Sequence, residues 1–523
     1  MEDSMNRLPF GFWRLVLAAL CLFLSFGPAF GEAKPIKPGP AELQKLLADF
    51  EKYVEEGRQA WNVPGLAVAI VQDNEVIFAK GFGVRQVGGA QAVDENTIFQ
   101  IGSTSKAFTA ALVAMLADEE KVAWQDRVVD HLPDFRMYDP WVTREFTVED
   151  LMAQRSGLPG YVGDGQGLMG FDRAHIIRTL RFLKPVSSFR SRYAYQNGVF
   201  LVPGALLEKH TGKTWEENVR ERLLKPLGMS ASSVHLDGWR KAKNLAGQHL
   251  KVAGKIETLP LDWPFHNSPY IYGPAGGINS NIMDMAKWVR FWLNRGKVGE
   301  RQLISVENLD FLQFPRVHLG SHKGITGFYC LAWVYNMQYP YPLIWHTGGT
   351  TGHATMVALV PQAGLGLVVL SNLITPLPSE LTHHFYDRYF GNPPRDWRGE
   401  MLAISKKQEE AQKIPKPAAL TPPLSLERYT GTYRNDVYGP IEVAVQQDAL
   451  VMTLGPKKIQ ARLKPWDRDA FQFFWPDMSD GSDEDVVVFQ IGADGRTSSF
   501  FFTWVEKPEF RRVTSEPTGI KNK

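Results

Sequence analysis

Eleven residues, Ala107 to Ala117, carry no charge and include five alanines, Ala107, Ala110, Ala111, Ala114 and Ala117. A helix that is apolar on every side has to be buried. The alanines let other chain approach it closely. What precedes the run is Ile101-Gly102-Ser103-Thr104-Ser105-Lys106, at the end of an extended stretch from Thr97 to Gln100. Ser103 therefore falls at the helix N-terminus, where unpaired N–H groups and the dipole favour negative charge. Lys106, three residues on, lies on the same side one turn in. Burial there lowers a lysine's pKa toward the neutral, proton-accepting form. Ser103 and Lys106 thus read as a nucleophile with its base beside it. The pattern alone would equally fit a helix cap followed by a surface lysine. A chain of this length holds about one Ser-x-x-Lys by chance. The apolar helix and two later motifs give it weight.

With 523 residues the chain exceeds one compact domain. Its 44% hydrophobic and 22% charged residues fit a globular protein, and its net charge is +2. It has no basic block, which argues against nucleic-acid and anionic-membrane binding. The first residues read as a targeting signal. Arg7 and Arg14 precede an apolar run, Leu15 to Phe26, Gly27-Pro28 breaks it, and Ala29 and Gly31 stand at the −3 and −1 positions of a cleavage site. The expectation is a cleavable signal peptide over residues 1–31 and a periplasmic or secreted protein, with no stable membrane insertion after cleavage. An uncleaved anchor is the alternative. Cleavage removes Cys21 and leaves Cys330 without an internal partner, so no disulfide is expected.

The period of the apolar residues orders the rest. Ala41 to Trp61 reads as an amphipathic helix, followed by strands Gly65 to Val71 and Val76 to Val84 around an Asp73-Asn74 turn. Helical segments are expected at Thr147 to Ala153, Phe171 to Phe182, Gly198 to His210 and Thr214 to Leu224. Gly273 to Gly277 reads as a flexible loop entering a helix from Asn281 to Asn294. Strands return at Phe328 to Met337, Leu343 to Trp345, Thr355 to Val360 and Leu365 to Asn372, closed by a helix from Ser379 to Phe390. Residues 392–423 are charged and proline-ended, a linker with one helix at most. From 424 to 513 short alternating strands predict a small antiparallel barrel, separable and holding none of the chemistry. Asp477 to Asp485 reads as a solvated acidic tip in preference to a calcium site. The fold class is α+β: an antiparallel sheet with packed helices and a helical insert, plus the C-terminal β-barrel.

Two further motifs complete a constellation. Tyr195-Gln196-Asn197 precedes a helix, so that Tyr195 could share the Lys106 proton and pass it to a leaving group, with Asn197 holding Lys106 and a substrate carbonyl. Tyr193 is a rival, and Tyr433-Arg434-Asn435 is a decoy on a C-terminal strand. His346-Thr347-Gly348-Gly349 follows the strand Leu343 to Trp345, read as an edge along which a substrate backbone could lie. Thr347 and Gly348 belong to that substrate-binding strand. The N–H groups of Gly349 and Ser103 would form an oxyanion hole. His346 is expected to steer the proton network or bind a carboxylate. His210-Thr211-Gly212 is assigned to helix capping.

Ser-x-x-Lys, Tyr-x-Asn and His-Thr-Gly, in this order, resemble the class C β-lactamase-like serine hydrolases of the penicillin-binding-protein superfamily, which carry related motif sets. The resemblance covers about Ala41 to Gly391 and includes Ser156-Gly157-Leu158-Pro159, Lys225-Pro226-Leu227-Gly228-Met229 and Pro274-Ala275-Gly276-Gly277. It implies a β-lactamase/transpeptidase-like sheet over residues 41–391, Ser103 as the acylated nucleophile, Lys106 as its base partner and Tyr195 as general acid/base. Asn197, Thr347, Gly348 and Gly349 would bind substrate. The segment from Tyr429 to Tyr433 onward is similar to the lipocalin-like domain of CubicO-type peptidases, which act on D-amino-acid peptides. His346 stands where β-lactamases carry a lysine that grips the β-lactam carboxylate, which favours the peptidase and esterase branches.

The expected protein is an exported serine hydrolase acting through a Ser103 acyl-enzyme on a small peptide or amide, D-residues included. It needs no cofactor and no metal, and a homo-oligomer is left open. An esterase or weak β-lactamase is the alternative within the class. A penicillin- or muropeptide-binding module without efficient turnover is the alternative outside it.

Overall fold

The computed structural model describes residues 37–252, 254–322, 325–412, 419–474, 485–503 and 507–513. The expected signal peptide and residues 477–484 of the acidic tip lie outside them. Helix α1 (Pro40–Ala60) opens the described chain. Pro40, with its preset φ, suits the first turn, and the Glu42 carboxylate accepts from the Gly39 N–H at 2.9 Å. Strands β1 (Gly65–Gln72) and β2 (Glu75–Gly83) follow as a hairpin. Its two turn residues, Asp73 and Asn74, have φ of 48° and 68°, as a two-residue turn matched to strand twist requires.

β1 divides the molecule by its period of two. Ala67, Ala69 and Val71 enter one core, and Leu66, Val68 and Ile70 enter the other. Helix α2 (Ser105–Asp118) lies in the first core and is buried at every residue from Ser105 to Leu116. The apolar run reads correctly because no side of α2 meets water before its last two residues. Helices α3 (Val202–Thr211) and α4 (Ile282–Leu293) pack in the same core, with the Phe108 ring stacked on Trp288 at 3.7 Å.

After the helical insert the chain returns as β3 (Val317–His322), β4 (Ile325–Tyr329), β5 (Val334–Met337), β6 (Leu343–Thr350), β7 (His353–Val360) and β8 (Leu365–Ser371). Together with the first hairpin they form one antiparallel sheet in the order β2-β1-β8-β7-β6-β5-β4-β3. Helix α5 (Leu377–Tyr389) packs with α1 on the second face, where Phe50 and Phe385 meet at 5.0 Å and the Trp61 indole N–H donates to Glu380 at 2.5 Å.

Four local expectations are corrected. Thr147 to Ala153 forms successive turns, not a helix. The Glu149 and Asp150 carboxylates, read as first-turn residues, are instead taken by Arg155, Arg190 and Arg316 at 2.5–2.9 Å. Gly273–Gly276 is one helical turn, not a loose loop. The stretch from Phe328 to Met337 is two strands, because the chain reverses where Cys330 N–H donates to Trp333 O at 2.7 Å and Ala332 takes φ of 65°. Last, β6 is an interior strand. Its ladder with β5 covers only Leu343 to Trp345, so His346 to Thr350 pair with β7 alone.

Helix α6 (Trp397–Gln412) occupies half of the expected linker. Beyond it β9 (Gly431–Asn435), β10 (Gly439–Gln446), β11 (Ala449–Leu454), β12 (Ile459–Asp467), β13 (Ala470–Phe473), β14 (Asp485–Ile491), β15 (Thr497–Phe502) and β16 (Glu509–Arg512) form a closed up-and-down antiparallel barrel. Aromatic side chains fill it, Phe489 packing against Tyr429, Tyr433, Phe471 and Phe500. The barrel is less separate than its sequence suggests. Its buried side chains are continuous with the core around α2. The Gly455 turn lies so close that a Cβ there would stand 2.1 Å from the Met169 carbonyl oxygen.

Candidate active site

Gly102, Ser103 and Thr104 form a short 3-10 turn that runs into α2. Gly102 takes φ of 52°, and a Cβ on it would lie 2.6 Å from the Gly349 nitrogen. Only glycine fits this position, and it brings the β6 backbone against the residue before Ser103. Gly348 is fixed in the same way. A Cβ there would lie 2.1 Å from the Ile101 carbonyl oxygen, which already accepts from the Thr355 hydroxyl at 2.8 Å. The half of β6 that β5 leaves uncovered therefore faces the Ser103 turn, and the Ser103 and Gly349 amides come from adjoining backbones. Thr347 and Gly349 are exposed.

Lys106 is fully buried. Its amine donates to Asn197 Oδ1 at 2.7 Å and to the Ala275 carbonyl at 2.9 Å, and it stands 3.3 Å from Ser103 Oγ. Both nearer partners are acceptors only in this arrangement. A neutral amine spends its two hydrogens on them and turns its lone pair toward the Ser103 hydroxyl. Burial brings the Lys106 pKa down to about 7, against the opposing pull of the Asp164 carboxylate.

The Tyr195 ring faces the amine, with Nζ 4.6 Å from its centroid, and its side chain interacts with that of Ser103. Burial holds the Tyr195 hydroxyl well above its ordinary pKa, so it stays protonated at neutral pH. Lys106 is thus suited to accept a proton and Tyr195 to deliver one.

Asn197 Nδ2 donates to Asp164 Oδ2 at 2.7 Å. A cavity of about 300 Å³ opens on this group, lined by Ser103, Asp164, Asn197, Tyr272, Ala275, Gly349 and their neighbours. Among the described residues that line it, Asp164 is the one charged group.

His346 lies on β6 directly after Trp345. It is buried on the β6 face turned toward Lys106, Tyr195 and Tyr329, and is not among the residues lining the cavity. Its Nδ1–H donates to the Thr347 carbonyl at 2.5 Å, which leaves Nε2 to accept from the Tyr329 hydroxyl at 3.1 Å. Burial, with the nearby Lys106, brings its pKa down to about 3. It is therefore neutral at neutral pH and sits behind the proton network, its ring 6.1 Å from that of Tyr195.

The two decoys lie elsewhere. The Tyr433 hydroxyl donates to the Tyr429 carbonyl inside the barrel, and Gly212 caps α3 with φ of 68°. Tyr193 sits beside Tyr329, with ring centroids 5.4 Å apart. Sequence reasoning missed Asp164, Tyr272, Ala275 O and Tyr329, and nothing in Gly163-Asp164-Gly165 distinguishes that aspartate from a turn residue. Among the described residues no cluster of metal-ligating side chains occurs.

The family described as Beta-lactamase matches residues 50–391, and a domain of unknown function, DUF3471, matches residues 415–517. The chain is 29% identical over 492 residues to the unguisins hydrolase ungD' of Aspergillus campestris, covering 88% of this chain and 90% of that one. It is 22% identical over 341 residues to the protein flp of Staphylococcus aureus, covering 63% and 64%. Among solved structures it resembles the octameric penicillin-binding protein homologue from Pyrococcus abyssi, with a TM-score of 0.59 and 21% identity over 89% of this chain and all of that one. SurE, solved with D-Leu, has a TM-score of 0.54 at 17% identity over 91% of this chain and all of that one.

Proposed function

This chain belongs to the beta-lactamase family, and on that premise we propose that it is an exported serine hydrolase that cleaves peptide or amide bonds through a Ser103 acyl-enzyme. The observation that carries the reading is the buried Lys106 amine. Asn197 Oδ1 and Ala275 O hold it, with Ser103 Oγ 3.3 Å away. Ser103 Oγ attacks the substrate carbonyl carbon, and its proton passes to Lys106 Nζ. The amides of Ser103 and Gly349 receive the charge that develops on the carbonyl oxygen. Tyr195 gives its proton to the leaving nitrogen as the carbon–nitrogen bond breaks and takes up the proton that Lys106 received. Water then attacks the acyl carbon, its proton passing to Lys106 and on to Ser103 Oγ as the acyl–oxygen bond breaks and the acid is released.

The substrate class follows from charge. A cavity whose one charged lining residue is Asp164 disfavours a carboxylate, and His346 is not placed to bind one. Neutral or cationic acyl groups suit it, and penicillins and cephalosporins, which are anions, suit it poorly. The similarity to a hydrolase named for unguisins supports hydrolysis. D-amino-acid peptides rank first and small esters second. Export rests on the Arg7 to Gly31 signal pattern, and the domain limits of 41–391 and 424–513 are kept as part of this reading.

The test is turnover of D-amino-acid peptides, p-nitrophenyl esters and a chromogenic cephalosporin by wild type and Ser103→Ala. Hydrolysis of peptide or ester that vanishes in the variant is expected, with slow cephalosporin turnover. Label uptake at Ser103 with no turnover of any of them would favour the binding-module alternative.

A further inference from the structure

Asp164 belongs to none of the three motifs, yet it closes the chain of contacts behind the base. The residue sits at the start of a segment pinned by Tyr272, whose hydroxyl lies 3.1 Å from both the Gly163 and Asp164 carbonyl oxygens. A Cβ on Gly167 would come within 2.5 Å of the Tyr272 ring, so the segment and the ring fix each other. The Asp164 carboxylate accepts from Asn197 Nδ2 at 2.7 Å, and Asn197 Oδ1 accepts from Lys106 at 2.7 Å.

An asparagine amide can present either its oxygen or its NH₂ to a neighbour. Facing an amine, the two ends have opposite consequences. The oxygen takes one of the amine's hydrogens, whereas the NH₂ would compete for the lone pair that Ser103 needs. An ionised carboxylate only accepts, so it can be satisfied by the NH₂ end alone. We propose that Asp164 is a positioning residue for the general base: it locks the Asn197 amide with its oxygen toward Lys106 and so keeps the lysine lone pair aimed at Ser103. This rests on the reading of Lys106 as the base.

The carboxylate has a second effect of known sign. Facing Lys106 are Ser103 on its own turn, Tyr195, Asn197 and Phe200 from the Tyr-x-Asn segment, the Ala275 carbonyl, His346 on β6, and Asp164. Of these Asp164 is the one anion, and it opposes the burial that drives the lysine toward neutrality. Removing its charge makes Lys106 lose its proton at lower pH. The acid limb of the reaction, where the amine becomes neutral, then moves down.

The experiment is the rate of Ser103 labelling by a fluorophosphonate against pH, on full-length wild type, Asp164→Asn, Asp164→Ser and Asp164→Glu. For Asp164→Asn and Asp164→Ser the acid limb should shift down by about one pH unit, while the plateau falls about tenfold or more as Asn197 loses its fixed orientation. Asp164→Glu keeps the acceptor and the charge, and its limb should stay near the wild-type position. A residue that acted by charge alone would shift the limb and leave the plateau in place, and one that only braced the loop would lower the plateau further in an Asn197→Ala background, where a residue acting through Asn197 has nothing left to lose. Wild-type plateaus in both neutral variants, or a further fall in that background, would overturn the role of Asp164 alone. Absence of labelling at Ser103 in wild type would overturn the reading beneath it.

Discussion

At the residue scale the account turns on which group holds the proton. Lys106, brought by burial to a pKa of about 7, accepts one only once it is neutral. kcat/KM for a neutral ester should therefore rise as pH increases through about 7, and Lys106→Arg should remove the rise and lower the plateau a hundredfold or more. In the proposed mechanism Lys106 and Tyr195 serve one proton transfer, so Lys106→Met combined with Tyr195→Phe should cost little more than the worse single change. Additive losses in log rate would contradict that. His346 does not supply the rise. With a pKa of about 3, brought down by a burial that the sequence does not show, it is neutral throughout the working range. Tyr329→Phe leaves His346 Nε2 without its donor and should cost about 1–3 kcal/mol of stability, read by denaturant unfolding. The gathering of Ser103, Lys106, Tyr195 and Asn197 was legible because each falls at a defined end of an apolar element. Asp164 was not, because its partner Asn197 lies 33 residues away and only the folded insert brings them together.

At the element scale, position is set by close backbone packing more than by side chains. The Ser103 turn is held against β6 through Gly102 and Gly348, where added Cβ atoms would meet backbone at 2.6 and 2.1 Å. Gly348→Ala must push β6 away from Ile101, so Ser103 labelling should slow about tenfold or more while the far-ultraviolet circular dichroism stays native. Unchanged labelling would show that the Gly349 amide needs no such approach. Strands and helices that are apolar nearly throughout, such as β1, α2 and β7, were read correctly from sequence. The misreadings have two causes: a tertiary partner that overrides the local signal, and a turn built without turn residues. Glu149 and Asp150 look like a helix start but serve three arginines. The β4–β5 reversal uses Cys330-Leu331-Ala332-Trp333, which contains none of the residues that usually mark a turn.

At the scale of the whole molecule the barrel and the hydrolase fold share a core. The segment that carries Asp164 and lines the cavity continues into Met169 and Gly170, which lie against Gly455 and Lys457 of the barrel. All the proposed chemical groups precede Gly391, yet the barrel braces one of their supports. A chain ending after Gly391 should still take up label at Ser103, but more slowly and with a lower Tm than the full chain, as time-resolved mass spectrometry and a thermal melt would read. Labelling and melting equal to those of the full chain would mean that the contact with Met169 supports nothing. The most direct test of the central claim is intact-mass analysis after a fluorophosphonate, on full-length wild type and Ser103→Ala in parallel. The account predicts one adduct on wild type, mapped to Ser103, and none on the variant. An adduct of equal stoichiometry on Ser103→Ala would contradict it.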